Sequence, residues 1–256
     1  PWVAKTFEWG KLLTITGLSQ VLVQAVGFVG GILVIRLLPT SEYALYILAN
    51  TMVGTMTVLA DGGISTGAIS KGGEVWRSRE KLGSVVSTGL DLGRKFAMVS
   101  LIVAIPAMLL LLRNHQASWL ASALIVAVTI PAFFTALSGS LLQVAPKLHQ
   151  DIIPLQKNQV FFNLLRLCLL VGSLVFLPFA FIAILISSVS QLFANMGLKK
   201  ISISYADWKQ KADTTIRKEI MSFVKLMLPG SIYYCLSGQI TIWLISIFGS
   251  TSAIAQ

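Results

Sequence analysis

Long apolar runs alternate with short polar gaps along nearly the whole chain. An apolar run of about 18 residues or more has the length of a bilayer-spanning helix. Seven such spans are legible, over 16–38, 43–70, 96–112, 119–144, 160–177, 179–197 and 226–248, the fifth and sixth separated by little more than Pro178. The pattern predicts an all-α, polytopic membrane helical bundle.

Polar residues recur inside these spans at helical spacing, so they share faces. Gln159, Asn163, Arg166 and Ser173 fall on one face of span five, and Ser187, Gln191 and Asn195 on one face of span six. Asn50, Gly54, Thr57 and Asp61 make a stripe on span two, and Gln20, Gln24, Gly27 and Gly31 one on span one. Span three has no such stripe and is expected to face lipid. Polar groups inside a bilayer face the bundle interior or a water-filled cavity. One stripe is explained by helix packing through amides, hydroxyls and the Gly27-x-x-x-Gly31 pattern; four stripes on four helices point to a shared hydrophilic cavity.

Composition supports the membrane reading. Of 256 residues, 55% are hydrophobic and 12% charged, against about 25% charged in a soluble domain. The formal charge is +10. Seventeen of the twenty basic residues fall before span one or in every second gap after it, the positive-inside pattern, which puts the N-terminus in the cytoplasm. The segments 71–95 and 201–220 mix charged and apolar residues around Trp76 and Trp208 and are expected to be interfacial helices. No basic segment is separable from a membrane edge, which excludes nucleic acid as a partner. Neither Gly72-Gly73 nor Gly83 belongs to a phosphate-binding loop. Cys168 and Cys235 lie in apolar runs without a CxxC or a nearby His, so neither a metal site nor any other cofactor is expected. The first run is too long for a signal peptide.

Three basic residues stand apart from the topology signal. Arg36 and Arg113 border outer gaps and suit an interface. Arg166 lies within span five, in its cytoplasmic half, with no Asp or Glu on the same helix. It asks for an anion, either a substrate phosphate or sugar carboxylate, or Asp61 of span two. Asp61 precedes Gly62-Gly63 and has two readings, a coupling site for a cation or proton and a cap for the helix that resumes after the glycines. Pro106, Pro131 and Pro229 lie inside spans and predict kinks.

Span seven can be laid on span one at an offset of 210, with negligible identity but a matching small or polar stripe and a matching turn at 249–251. A second lobe is therefore expected to begin there, parallel repeats being a known transporter plan. The chain begins at Pro1 and stops at Gln256 without a polar tail, so a fragment is expected. The expected organisation is a six-helix lobe over 1–200, a cytoplasmic amphipathic linker over 201–225 and the first helix of a second lobe over 226–256.

The run Arg36-Leu37-Leu38-Pro39-Thr40-Ser41-Glu42-Tyr43-Ala44-Leu45-Tyr46, followed by Leu59-Ala60-Asp61-Gly62-Gly63-Ile64, resembles the opening of polysaccharide flippases. These are the O-antigen and capsule (Wzx-type) exporters of the multidrug/oligosaccharidyl-lipid/polysaccharide, or MATE-like, superfamily. Ala44 stands where the family usually has Gly. The motif content lies within about residues 10–70. The resemblance implies two six-helix lobes around a central cavity in the bacterial inner membrane, and a non-enzymatic transporter working by alternating access. It also implies a polyprenyl-pyrophosphate-linked oligosaccharide as substrate, with other polysaccharide-assembly membrane proteins as possible partners besides the bilayer. On that reading Arg166 attracts a pyrophosphate or an acidic sugar. Gln24, Asn50, Gln159, Asn163, Gln191 and Asn195 complete the substrate-binding set.

An ion-coupled multidrug antiporter of the same superfamily is the alternative. It calls for more membrane carboxylates than Asp61 alone. A membrane enzyme of polysaccharide assembly calls for a large outer loop, and the outer gaps are short.

Overall fold

The structure, a computed structural model, describes residues 2–248, with side chains for Thr14, 16–235, Ser237, Gly238 and Leu244. Nine helices and no strand occur among them: α1 (Trp2–Leu37), α2 (Thr40–Asp61), α3 (Ile64–Val75), α4 (Arg79–Asn114), α5 (Trp119–Leu142), α6 (Val144–Leu148), α7 (Ile152–Leu174), α8 (Ala180–Ile203) and α9 (Thr214–Phe248). Five stretches are long and apolar enough to cross a bilayer: Thr16–Leu37 of α1, all of α2, α4 and α8, and Trp119–Leu148, which covers α5 and α6. The protein is a multi-pass helical bundle. The expected fifth span, in α7, has the length at 23 residues. It falls outside this set because Lys157, Gln159, Asn163 and Arg166 make it more polar. The expected seventh lies in α9, and the turn expected at 249–251 lies outside the described residues.

Contacts between helices give their directions. Gly30 of α1 lies against Leu167 of α7, and further along both helices Val34 and Leu38 join Leu170, Leu174 and Ala183 in one buried cluster. Helices α1 and α7 are therefore parallel. Helices α2 and α8 start together, because Glu42 accepts the Ala180 N–H. The end of α4 meets the start of α2 where Leu111 packs on Ala44 and Leu48. The ends of α1, α4 and α7 thus share one end of the bundle with the starts of α2, α5 and α8. At the other end Asp207 donates its N–H to the Arg79 carbonyl, and Trp76, His149 and Tyr205 form a ring contact series. Lys71, Arg77, Arg79, Lys81, Lys147, Lys199, Lys200, Lys209, Lys211, Arg217 and Lys218 lie at or near the helix ends and loops on this side, which makes it the basic end. Helix α7 runs its full length between the two ends even though it is the polar one.

Three expectations about the loops are corrected. The second span does not continue to residue 70. It breaks at Gly62 and Gly63, with φ of 44° and 102°, conformations that side chains with a Cβ rarely adopt. A Cβ on Gly63 would also sit 2.7 Å from that of Met227, so the break lets α9 approach closely. The segment 71–95 is not an interfacial helix. Its second part is the start of α4, whose 36 residues span about 54 Å, well beyond a hydrocarbon core of about 30 Å.

The expected linker over 201–225 is not one unit either. Helix α8 runs to Ile203 and α9 begins at Thr214. Between them, 204–213 is a loop docked on α4. A Cβ on Gly83 would collide with the Asp207 carbonyl oxygen, and the Asp213 N–H donates to the Thr88 hydroxyl at 2.9 Å. Ile220 and Val224 of α9 are buried with Ile64, Ala68, Val85, Leu92, Leu141 and Val144. The first part of α9 is thus packed into the basic end against α3 and α4.

Candidate functional site

Helix α7 turns its apolar residues Leu170 and Leu174 toward α1 and its polar stripe toward α8. A cavity of about 420 Å³ lies along that stripe. Gln156, Gln159, Asn163 and Arg166 line it from α7, Ser187, Ser190 and Gln191 from α8, and Gln143 and Lys147 at its basic-end mouth. A second cavity of about 140 Å³ adjoins it between α2, α5 and α8, lined among others by Tyr46, Asn50 and Thr135. Arg166, Ser187 and Gln191 line both. No Asp or Glu lines either cavity.

Arg166 sits where the two cavities meet. No carboxylate lies within ion-pair distance of it among the described residues. Asp61, its other candidate partner, is engaged elsewhere. Its Oδ1 accepts the Ser65 N–H at 3.2 Å and the Ser65 hydroxyl, which contacts Ser140 Oγ at 3.0 Å. Asp61 thus serves the first turn of α3 across the two glycines, which is the capping reading. The depth of Arg166 is corrected. Helix α7 starts eight residues before the expected span and ends three residues before its expected end, so Arg166 stands fourteen residues from Ile152 and eight from the far end, Leu174. That is about 12 Å from the far end and about 21 Å from Ile152. It is not on the basic side of its helix.

The amides divide into those that line the cavity and those that hold the bundle. Asn163 donates to the Gln159 carbonyl at 2.7 Å, which leaves its own carbonyl oxygen for the cavity. Gln191 donates to Asn195 Oδ1 at 3.0 Å, and Asn195 donates to the Thr135 carbonyl at 2.6 Å. Asn195 is buried, lies outside both cavity linings, and cross-links α8 to α5. This removes it from the expected substrate-facing set. Gly139 leaves the room for this amide pair, since a Cβ there would meet both side chains at 3.0–3.1 Å. Gln24 also stays out of the cavity. Its neighbour Val23 lines it instead, and the Gln20–Gln24 stripe is exposed because α1 meets α7 through Gly30, Val34 and Leu38.

The polar stripes of the sequence omit Gln143, Lys147, Gln156 and Ser190: Lys147 and Gln156 fall in the gap between spans four and five, and Gln143 and Ser190 lie inside spans but off the expected stripes. The signal was available for Gln156: the series Gln156, Gln159, Asn163, Arg166 keeps the alternating three and four spacing of a single face. Two of these residues carry unmet polar atoms. Gln156 Oε1 and Ser190 Oγ are buried without a hydrogen-bond partner, and Ser190 is 2% exposed. Buried polar atoms are normally paired, and these two lie beneath the cavity surface rather than on it.

Arg113 and Trp119 sit at the end opposite the basic one. The guanidinium lies 4.6 Å from the indole centroid and donates to the Ala117 carbonyl at 2.6 Å. At the basic end Tyr205 donates to Asp151, which raises the phenol's pKa above its ordinary value. No group of three or more His, Cys, Asp or Glu side chains converges as a metal site among the described residues. Both cysteines are free.

Fold and cavity together define a multi-pass membrane protein with a polar, carboxylate-free internal cavity. No protein-family model, curated protein or solved structure matches the chain.

Proposed function

We propose that this protein is a flippase for a polyprenyl-pyrophosphate-linked oligosaccharide, working by alternating access in a bacterial cytoplasmic membrane, with the basic end in the cytoplasm. The observation that carries the reading is the cavity between α7 and α8. It is lined by amides and hydroxyls suited to sugar hydroxyls, and it holds one guanidinium with no carboxylate partner among the described residues. Glycan hydroxyls both donate and accept, which matches Gln156, Gln159, Asn163, Ser187 and Gln191. The similarity of 36–64 to flippase openings supports the same reading. An antiporter for cations needs a carboxylate in its cavity, and no Asp or Glu lines either one.

The test is transport in liposomes. The protein is reconstituted with a fluorescently tagged lipid-linked oligosaccharide, and the fraction of tag reachable by a membrane-impermeant quencher is followed. Transport raises that fraction from about half toward completion. The same reachable fraction in protein-free vesicles would sink the proposal.

A further inference from the structure

The cavity contains two cations at different depths. Lys147 lines its mouth at the basic end, and Arg166 lines its inner limit. Ile152 and Arg166 are separated by about 21 Å along α7, and Lys147 lies on the far side of Ile152 in α6. Between them the lining is uncharged: Gln143, Gln156, Gln159, Asn163, Ser190 and Gln191. A hydrocarbon core of about 30 Å puts the headgroup plane of one leaflet about 15 Å from the bilayer centre. Arg166 is level with Asn50 and Ser187, both well inside their helices, so it lies deep in the membrane. A phosphate tied to a lipid whose tail remains in the leaflet at the basic end reaches the mouth, not the inner limit.

We infer that Arg166 binds a carboxylate carried by the sugar part of the substrate, while Lys147 meets the phosphates, so that the site selects acidic oligosaccharides. This rests on the proposed glycan substrate and deepens it. Gln159, Asn163 and Gln191 line the cavity between the two cations and offer hydrogen bonds to the hydroxyls of the intervening sugar. Arg166 has no internal counter-ion among the described residues, so a neutral glycan leaves its charge unmet. An acidic sugar supplies the charge-assisted hydrogen bonds that it lacks.

The experiment is equilibrium binding of free glycans to the purified protein in detergent. One probe is a tetrasaccharide with a single glucuronate, and its counterpart carries glucose at that position. Wild type should bind the acidic probe about tenfold or more tightly than the neutral one, as expected of a charge-assisted hydrogen bond. R166Q should abolish that preference, and R166K, which keeps the charge, should retain part of it. Inorganic pyrophosphate should bind wild type and R166Q alike and bind K147Q more weakly. Equal binding of the two glycans by wild type overturns the inference, as does loss of pyrophosphate binding in R166Q with the acidic preference intact. Acid-selective binding without transport in the liposome assay removes the flippase reading and leaves this site standing.

Discussion

The Glu42 carboxylate accepts the Ala180 backbone N–H at 2.7 Å and so ties the first turn of α2 to the first turn of α8. Phe179, the residue preceding α8, offers no side-chain cap. The acidic residue at the start of α2 therefore caps a helix 138 residues away, where a negative charge also complements the helix N-terminus. Glu42→Ala should cost about 1 kcal/mol, and Glu42→Gln, which keeps an acceptor oxygen, less. Thermal-shift curves in detergent compare the two, and an unchanged midpoint for Glu42→Ala would rule out the capping role.

Gly83 is the point where the loop 204–213 meets α4. Gly83→Ala places a Cβ against the Asp207 backbone, which cannot move aside as a flexible side chain can. The loop should detach, and trypsin should cleave faster after Lys209 and Lys211, which are already exposed but held on a docked backbone. Cleavage there at the wild-type rate would show that the contact is dispensable.

Acid should loosen the same loop. The Asp207 carboxyl is held below its ordinary value, first by the Lys209 N–H and then by the Gln210 side chain. A depressed folded pKa contributes stability above the unfolded value, near 3.8, and that stability is lost as pH falls through the folded one. Trp208 fluorescence should therefore change at a lower pH in wild type than an ordinary Asp titration. Asp207→Asn should shift or remove that change.

Asp61 separates capping from ion coupling. Asp61→Asn keeps an oxygen for the Ser65 N–H and should preserve both membrane abundance and transport, whereas Asp61→Ala should lower abundance. Abundant Asp61→Asn protein without transport would instead mark Asp61 as a titrating, coupling group.

Arg166 and Asn195 should differ in kind. Arg166→Ala should reduce transport several-fold at normal membrane abundance. Asn195→Ala breaks the link to the Thr135 carbonyl and should cost about 1–3 kcal/mol as a lower thermal midpoint. Quantifying protein and transport together distinguishes them. Loss of abundance in Arg166→Ala would make that residue structural.

Much of the fold was legible because a bilayer imposes a strong rule: every spanning segment must satisfy its own backbone, so apolar length predicts helices. The segments that misled were those where polar residues continue a helix. Gln156 and Lys157 read as a loop, yet they belong to α7, because α1 and α8 flank that helix and a cavity accepts its polar side. The helical periodicity put Gln159, Asn163, Arg166, Ser187, Gln191 and Asn50 on the faces that line the two cavities. It had no means of separating Gln191, on the cavity wall, from Asn195, one turn along the same face and turned into α5.

The sequence by itself determined that the chain is a helical membrane bundle, that its cations collect at one end, and that polar stripes run inside it. These follow from hydropathy and period, which are local properties. Only the tertiary structure decided which stripes meet. It left Gln24 outside, spent Asp61 on Ser65 and Asn195 on Thr135, and placed Arg166 between two cavities. Helix rotation and depth are set by packing against neighbours, through contacts such as Gly30 with Leu167 and Glu42 with Ala180, and no single helix carries that information.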